Sequence, residues 1–398
     1  MPPTSSIKSS KDATLIEKEV KIAVVQRFLT HYRIPIFERF ASSGAFDLRV
    51  YASDQLDVLH PPAFFQPLGG PSLRMRFGGK EYRLVFYPGI MISLARFRPD
   101  VVIFEGVTNI VNNLYLFPFA KAMGSRIIWW DAGRRRGAAM HLLRRTADLF
   151  VNPMMRSSDA CLAYGSLAAR HMEHCGVAPA RIFVAHNSID DRQVRQFVQT
   201  HRRSVLKSKR TRFGTHPVVL YVGALERRKK VDVLLAAFRL IQHNNPDVWL
   251  SIVGDGPQRS ELEQEARELG LERVIFEGKA VDTVDRFFML ADIFVLPAEG
   301  GLAINQAMIH GLPVIVSSAD GTEVDLVVEN HNGFIVEEGN VQQLASCMEK
   351  LVRNAPLRRR LGANSQRIIS KTITPEGMIL AMKDAVRCSL KNSARLER

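Results

Sequence analysis

Glu299-Gly300-Gly301 is the stretch of this sequence best suited to chemistry. It lies in PAEGGLAINQAMIHGLPVIV, Pro297 to Val316, after one apolar run, DIFVLP, and before another, LPVIV. A carboxylate and two glycines thus open a helical segment carrying Asn305 and Gln306. Glycine lets backbone N–H groups approach a ligand closely, and a helix N-terminus carries a partial positive charge suited to phosphate. Three more glycine turns follow apolar runs: Gly223 after LYV, Gly254-Asp255-Gly256 after SIV, and Gly278-Lys279 after IFE. Lys229 and Lys230, in LERRKKVD, stand just before a helical pattern and add point charges. The set suits a diphosphate without requiring a metal. Taken singly the signals are weak. GDGP lacks the third glycine of a dinucleotide fingerprint and reads as a tight turn, and RRKK reads as a solvated charge run. The specificity lies in the ordered set.

The elements that must position these residues alternate. From VVLYVGAL onward, strand-like runs (VWLSIV, RVIFEG, DIFVLP, LPVIVS) interleave with helical patterns (VDVLLAAFRLIQ, RSELEQEARELG, VDRFFMLA, INQAMIHG). Most of the strands are continuous apolar runs, as expected where helices cover both faces of a parallel sheet. The N-terminal half shows the same alternation through EVKIAVVQ, IPIFERFAS, DLRVYAS, DVVIFEG, NIVNNLYLFPFAKAMG, RIIWWDAG, SLAARHMEHCG and ARIFVAHNSID. The expected organisation is a disordered tail over 1–20 and a first Rossmann-like domain over 21–200. A basic, turn-rich linker over 201–216, a second Rossmann-like domain over 217–372 and a returning helix over 373–398 complete it. The fold class is α/β, two doubly wound domains, and ligands in such sheets sit beyond the carboxyl ends of the strands.

Composition adds bounds. Residues 21–214 hold 29 Lys and Arg against 13 Asp and Glu, whereas residues 215–372 hold 17 against 21. The basic half is either an Arg-rich solvated surface or a face for something anionic. Arg134, Arg135, Arg136, Arg144 and Arg145, interleaved with Met140, Leu142, Leu143 and Phe150, leave the same choice open between an amphipathic core helix and a face for anionic lipid. No nucleic-acid module is recognised. Four scattered cysteines, Cys161, Cys175, Cys347 and Cys388, argue for a reducing compartment and against a disulfide framework. No export signal and no apolar run of spanning length is read. His171, His174 and Cys175 lack an evident partner cluster for a metal, and His31 reads as a structural or solvated loop histidine.

The ordered pieces YVGALERRKKVDVLLAAF, LSIVGDGPQRSELE, VIFEGKA, ADIFVLPAEGGLAINQAMIHGLPVIVS and NGFIVEEGNVQQLASCM resemble the nucleotide-binding half of GT-B fold, family 4-like (group 1) retaining glycosyltransferases. HYRIPIFERFA, RIIWWDAGRRRG, DACLAYGS and RIFVAHNSID extend the likeness, more loosely, into the first half. The resemblance implies two domains facing a cleft, closing by hinge motion near 201–216 and 372. It implies that Lys229 grips a donor diphosphate, with Lys230 standing where the family has glycine. Glu299 lies beside the transferred sugar, Gly300 and Gly301 present amides to sugar and phosphate, and Leu302 borders them. Gln306 stands for the glutamate that holds the ribose, in a loop one residue short. Gly223 and Gly254 fall in the donor site, and Gly278, Lys279 and Ala280 lie near the nucleobase. Ala224 replaces an expected arginine, whose place Arg227 or Arg228 could take. Ala132 replaces an expected histidine, which brings Asp131 forward as a catalytic participant.

The function implied is transfer, with retention, of a hexose-type sugar from a nucleotide-sugar to a glycan or lipid-linked acceptor. The nucleotide-sugar is a substrate, so no cofactor and no metal is expected. The setting expected is cytoplasmic, peripheral on the inner membrane face, in polysaccharide or glycolipid synthesis. The alternative is a catalytically impaired homologue serving as a binding or scaffold subunit, with a GT-B epimerase as a third reading.

Overall fold

The computed structural model describes residues 19–53, 61–70, 72–77, 80–106, 109–133, 141–280, 283–319 and 321–391. The tail expected over 1–20 lies outside them up to residue 18. In chain order the first elements are β1 (Val20–Val25), α1 (Ile34–Ser42), β2 (Phe46–Ser53), β3 (Phe65–Leu68), β4 (Ser72–Phe77), β5 (Lys80–Val85), α2 (Ile90–Phe97), β6 (Val101–Glu105), α3 (Ile110–Ala122), β7 (Arg126–Asp131), α4 (His141–Arg156), β8 (Ala160–Ala163), α5 (Ser166–His174), β9 (Ile182–Val184) and α6 (Asp191–Phe213). They build a seven-stranded sheet ordered β3-β2-β1-β6-β7-β8-β9, with β4 and β5 as a separate antiparallel hairpin.

The remaining elements are β10 (Val218–Val222), α7 (Val231–Gln242), β11 (Trp249–Val253), α8 (Arg259–Glu268), β12 (Val274–Gly278), α9 (Val284–Leu290), β13 (Ile293–Leu296), α10 (Leu302–Ile309), β14 (Val314–Ser317), α11 (Glu323–Leu326), β15 (Gly333–Val336), α12 (Val341–Arg353), α13 (Ala355–Thr372) and α14 (Pro375–Lys391). Their sheet is ordered β12-β11-β10-β13-β14-β15. The pairings within it are parallel. The chain winds outward from β10 to β12, then returns to place β13 on the other side of β10. That reversal opens a crevice beyond the carboxyl ends of β10 and β13. The strands there are buried on both faces, Val219, Leu220, Ile293, Phe294 and Val295 being fully enclosed. This is why they read as unbroken apolar runs. Helix α7 buries Leu234, Leu235, Phe238 and Ile241, the stripe its spacing dictates.

One sequence reading changes. Residues 201–213, expected to be turn-rich, are the second half of α6, a 23-residue helix. It is capped by the Asp190 carboxylate on Arg192 N at its start and ends at Gly214, whose φ of 63° lets the chain leave the helix. Its buried apolar residues, Val194, Val205 and Phe213, are too sparse among Arg and Lys to announce a helix. Elements that were not read include β3, the β4–β5 hairpin, α2, α11 and α13.

Compactness divides the chain into two units, Met1–Trp130 with Thr146–Cys161 and Lys383–Arg398, and Asp131–Arg145 with Leu162–Met382. Within the first, the Lys383 ammonium donates to Ser43 O at 2.6 Å, and Arg27 N donates to the Glu105 carboxylate, also at 2.6 Å. Among the described residues no helix is long and apolar enough to cross a membrane.

Candidate functional site

The turns after β12, β11 and β10 are tied in series. Gly254 N donates to Gly278 O at 2.9 Å, and Gly223 N donates to Val253 O at 3.0 Å. Leu225 N then donates to Asp255 O, and Gln258 N to Leu225 O, both at 3.0 Å. A Cβ on Gly254 would stand 1.8 Å from Gly223 O, and one on Gly256 2.4 Å from Leu225 O. These glycines let neighbouring turns pack on each other. The amides of Gly223 and Gly254, expected to face a ligand, are already engaged in that packing. Tyr221 completes the block: its hydroxyl donates to Ala224 O at 3.0 Å, and burial pushes its pKa well above the ordinary tyrosine value.

After Ala224 the chain runs through a single 3-10 turn, Arg227–Lys229, into α7. Lys230 caps that helix in the left-handed region, φ 50° and ψ 45°. This explains a glycine at the same place in the resembled family, since a Cβ there is costly. Its ammonium lies 3.7 Å from Glu338. Arg227 points away, 83% exposed and 3.7 Å from Glu261. Arg228 and Lys229 instead meet the turn after β13. Lys229 Nζ donates to Glu299 O at 2.9 Å and Gly300 O at 3.3 Å. Arg228 Nη1 donates to Glu299 Oε2 at 2.9 Å, while its Nε donates to Glu226. Burial works against the Arg228 charge, but the two glutamates outweigh it and raise its pKa.

The Glu299 side chain is 28% exposed at the mouth of α10. Gly301, with φ 171°, is extended and leads into Leu302, the first helical residue. The first amides of a helix have no carbonyl ahead of them in the helix; in α10 that of Ile304 donates to Gly301 O at 3.2 Å, and those of Leu302 and Ala303 precede it at the helix start. Asn305 and Ile304 on its inner face are buried. Gln306, expected at the ribose, has its Nε2 donating to Asp285 Oδ1 at 2.8 Å. The same oxygen takes His310 Nε2 at 2.7 Å, and the His310 ring, 2% exposed, stacks on Phe288. Lys279 is exposed and Ala280 half-buried at the end of β12.

The structure therefore brings together Lys229, Glu299, Gly300, Gly301 and Leu302, and adds Arg228, at the crevice between β10 and β13. Asp131 belongs to the other sheet, at the end of β7, where its Oδ1 accepts from Gly133 N at 2.8 Å. His31 is exposed at the start of a 3-10 turn, and His171 contacts Cys175 one helical turn away. Arg134, Arg135, Arg136 and Met140 lie outside the described residues. So do the side chains of Leu142, Leu143, Arg144 and Arg145.

A second cluster was not read from the sequence. The Asp325 carboxylate accepts from Ser166 N at 2.7 Å and lies 3.5 Å from His186 Nε2. Burial raises the Asp325 pKa, yet the hydrogen bonds from His186 and Ser166 prevail and hold it below its ordinary value. A Cβ on Gly165 would stand 2.5 Å from Asp325 Oδ2, so this glycine is required for the approach.

Residues 203–368, which carry the crevice and its cations, match the glycosyl transferases group 1 family. A GDP-mannose-dependent alpha-(1-6)-phosphatidylinositol monomannoside mannosyltransferase of Mycobacterium tuberculosis is 31% identical over 156 residues, 36% of this chain and 40% of that protein. The chain spans about half the length of the curated relatives it matches, 40% in one and 55% in another. Among solved structures, the sucrose-phosphate synthase of Thermosynechococcus elongatus superposes with a TM-score of 0.73 at 17% identity, covering 92% of this chain and 98% of that one. Anabaena HepE in complex with UDP-glucose gives a TM-score of 0.66 at 16% identity, covering 94% and 99%. The chain has the GT-B fold, and the segment that matches the group 1 model holds the β10–β13 crevice.

Proposed function

We propose that the protein is a glycosyltransferase that moves a hexose-type sugar, with retention, from a nucleotide-sugar to a glycan or lipid-linked acceptor in envelope polysaccharide or glycolipid synthesis. The observation that carries this reading is the convergence of Lys229 on the Glu299–Gly300 turn at the switch point of the second sheet. Charge on the leaving diphosphate grows as the glycosidic bond breaks. A fixed ammonium and the first amides of α10 are preorganised to meet that charge, which lowers the barrier. Glu299 orients sugar hydroxyls. The donor classes in the named relatives, GDP-mannose and UDP-glucose, support a nucleotide-sugar substrate. Gly278, Lys279 and Ala280 border the base, and Gln306 offers an amide to the ribose once released from Asp285.

The acceptor binds through the basic half of the chain. Leu149, 71% exposed, and Phe150, 54% exposed, lie on α4 in that Arg-rich stretch and suit a peripheral membrane site.

The test is a panel of UDP-, GDP-, ADP- and dTDP-sugars with and without EDTA. One class should raise the melting temperature and release nucleoside diphosphate insensitively to EDTA. NMR of the released or transferred sugar should show the donor's own anomer. Absence of any stabilisation would refute the proposal. The second reading, an impaired homologue acting as a scaffold, draws on Ala132, Ala224 and the Gln306 amide held by Asp285. Donor binding with no turnover on any acceptor would establish it instead.

A further inference from the structure

We propose that Arg228 is the second cation of the donor-diphosphate site, replacing from its own position the arginine that Ala224 lacks. The proposal rests on the reading of the Lys229–Glu299 turn as a nucleotide-sugar site. Three cations follow one another at 227–229, and the 3-10 turn sends them in different directions, because three residues complete a turn. Arg227 goes outward to Glu261. Arg228 and Lys229 both reach one turn, the first through the Glu299 side chain and the second through its backbone carbonyl. Sequence alone does not choose between Arg227 and Arg228; the turn does.

The place matters as much as the charge. Position 224 carries only a methyl group, and its carbonyl is held by the Tyr221 hydroxyl at 3.0 Å. That hydroxyl lies within range of the Arg228 charge, which lowers its pKa against the dominant effect of burial. The guanidinium itself is placed by its contact with Glu299 in the turn after β13. A guanidinium presents a planar fork of donors that matches phosphate, unlike the single point of a lysine. That fork is shared between Glu226 and Glu299. A diphosphate carries more charge than one carboxylate and competes with Glu299 for Nη1. Donor binding thus exchanges the Arg228–Glu299 pair for an Arg228–phosphate pair.

Calorimetric titration of the full chain with UDP, GDP, ADP and dTDP tests this, using whichever binds tightest. Arg228→Ala should weaken binding about 10- to 100-fold, the value of a charge-assisted hydrogen bond. Arg228→Lys should recover part of it, and Ala224→Arg added to Arg228→Ala should recover most. Arg227→Ala should bind as the parent does, and Glu299→Gln should bind as tightly or tighter. If Arg228→Ala binds within twofold of the parent while Lys229→Ala is weakened, Arg228 is no donor ligand, yet the nucleotide-sugar reading stands. If neither weakens, or the parent binds none of the four, both fall. If the Ala224→Arg double variant stays as weak as Arg228→Ala, the residue only shapes the loop and the proposal is overturned. Should Arg228→Ala not fold, Arg228→Lys with and without Ala224→Arg gives the same comparison.

Discussion

Lys229 and Glu299 are 70 residues apart in sequence, and the Lys229 ammonium sits 2.9 Å from the Glu299 carbonyl oxygen. The strand order makes them neighbours, because β10 and β13 lie side by side with their carboxyl ends together. Two backbone carbonyls of the turn receive the cation there. Lys229→Ala should weaken nucleoside diphosphate binding about 10- to 100-fold. It should raise the donor KM similarly and move the melting temperature by only a degree or two. A large fall in melting temperature with unchanged affinity would make Lys229 a structural brace.

Lys230 occupies a left-handed backbone position, which disfavours any side chain with a Cβ. Its ion pair with Glu338 is long and more than a third exposed at each end, so it contributes little. Lys230→Gly should leave stability unchanged or raise it by up to about 1 kcal/mol. Chemical denaturation measures this, and a loss of more than that would show that the lysine itself holds the loop.

Asp285 gathers two donors, Gln306 Nε2 and the buried His310 ring. Asp285→Ala leaves the buried His310 ring and the part-buried Gln306 amide without this acceptor and should cost about 1–3 kcal/mol, the penalty for one unmet buried donor. Asp285→Asn retains an acceptor oxygen and should recover at least half. Equal stability of Asp285→Ala and the parent, by urea denaturation, would contradict the role assigned to this cluster.

Asp325 gives the fold an acid dependence. Its folded pKa lies below the ordinary 3.8, so its contribution is fully present above 3.8 and drains as pH falls through the lower folded value. The parent should lose stability more steeply than Asp325→Asn below about pH 4. Parallel slopes for the two in melting-temperature scans from pH 6 to pH 3 would show that His186 and Ser166 do not hold the charge.

Much of the second sheet was legible because its strands are buried on both faces and its helices carry single apolar stripes. The Glu299-Gly300-Gly301 turn was legible for the same reason: a strand ending abruptly in carboxylate and glycine has few other readings. What the sequence hid follows from physics that spacing does not carry. The glycines at 223 and 254 looked like ligand-facing amides but serve turn-on-turn packing, a contact between segments 31 residues apart. Gln306 looked ready for a ribose, but Asp285 and His310, 21 and 4 residues away, decide where its amide points. Helix α6 was masked by its own charge, since three buried apolar residues in 23 fall below any periodic signal. Arg228 could not be told from Arg227 until the turn between them was known.

The central claim is that the Lys229–Glu299 turn is the sugar-nucleotide site of an active transferase. The most direct measurement is release of nucleoside diphosphate from the preferred nucleotide-sugar by the parent and by Glu299→Ala, each shown to be folded and to bind the nucleotide. The account predicts turnover by the parent and a rate about 10²- to 10³-fold lower for the variant, the loss that follows removal of a group acting in the transition state. Equal rates in the two proteins, or turnover by neither, would contradict it.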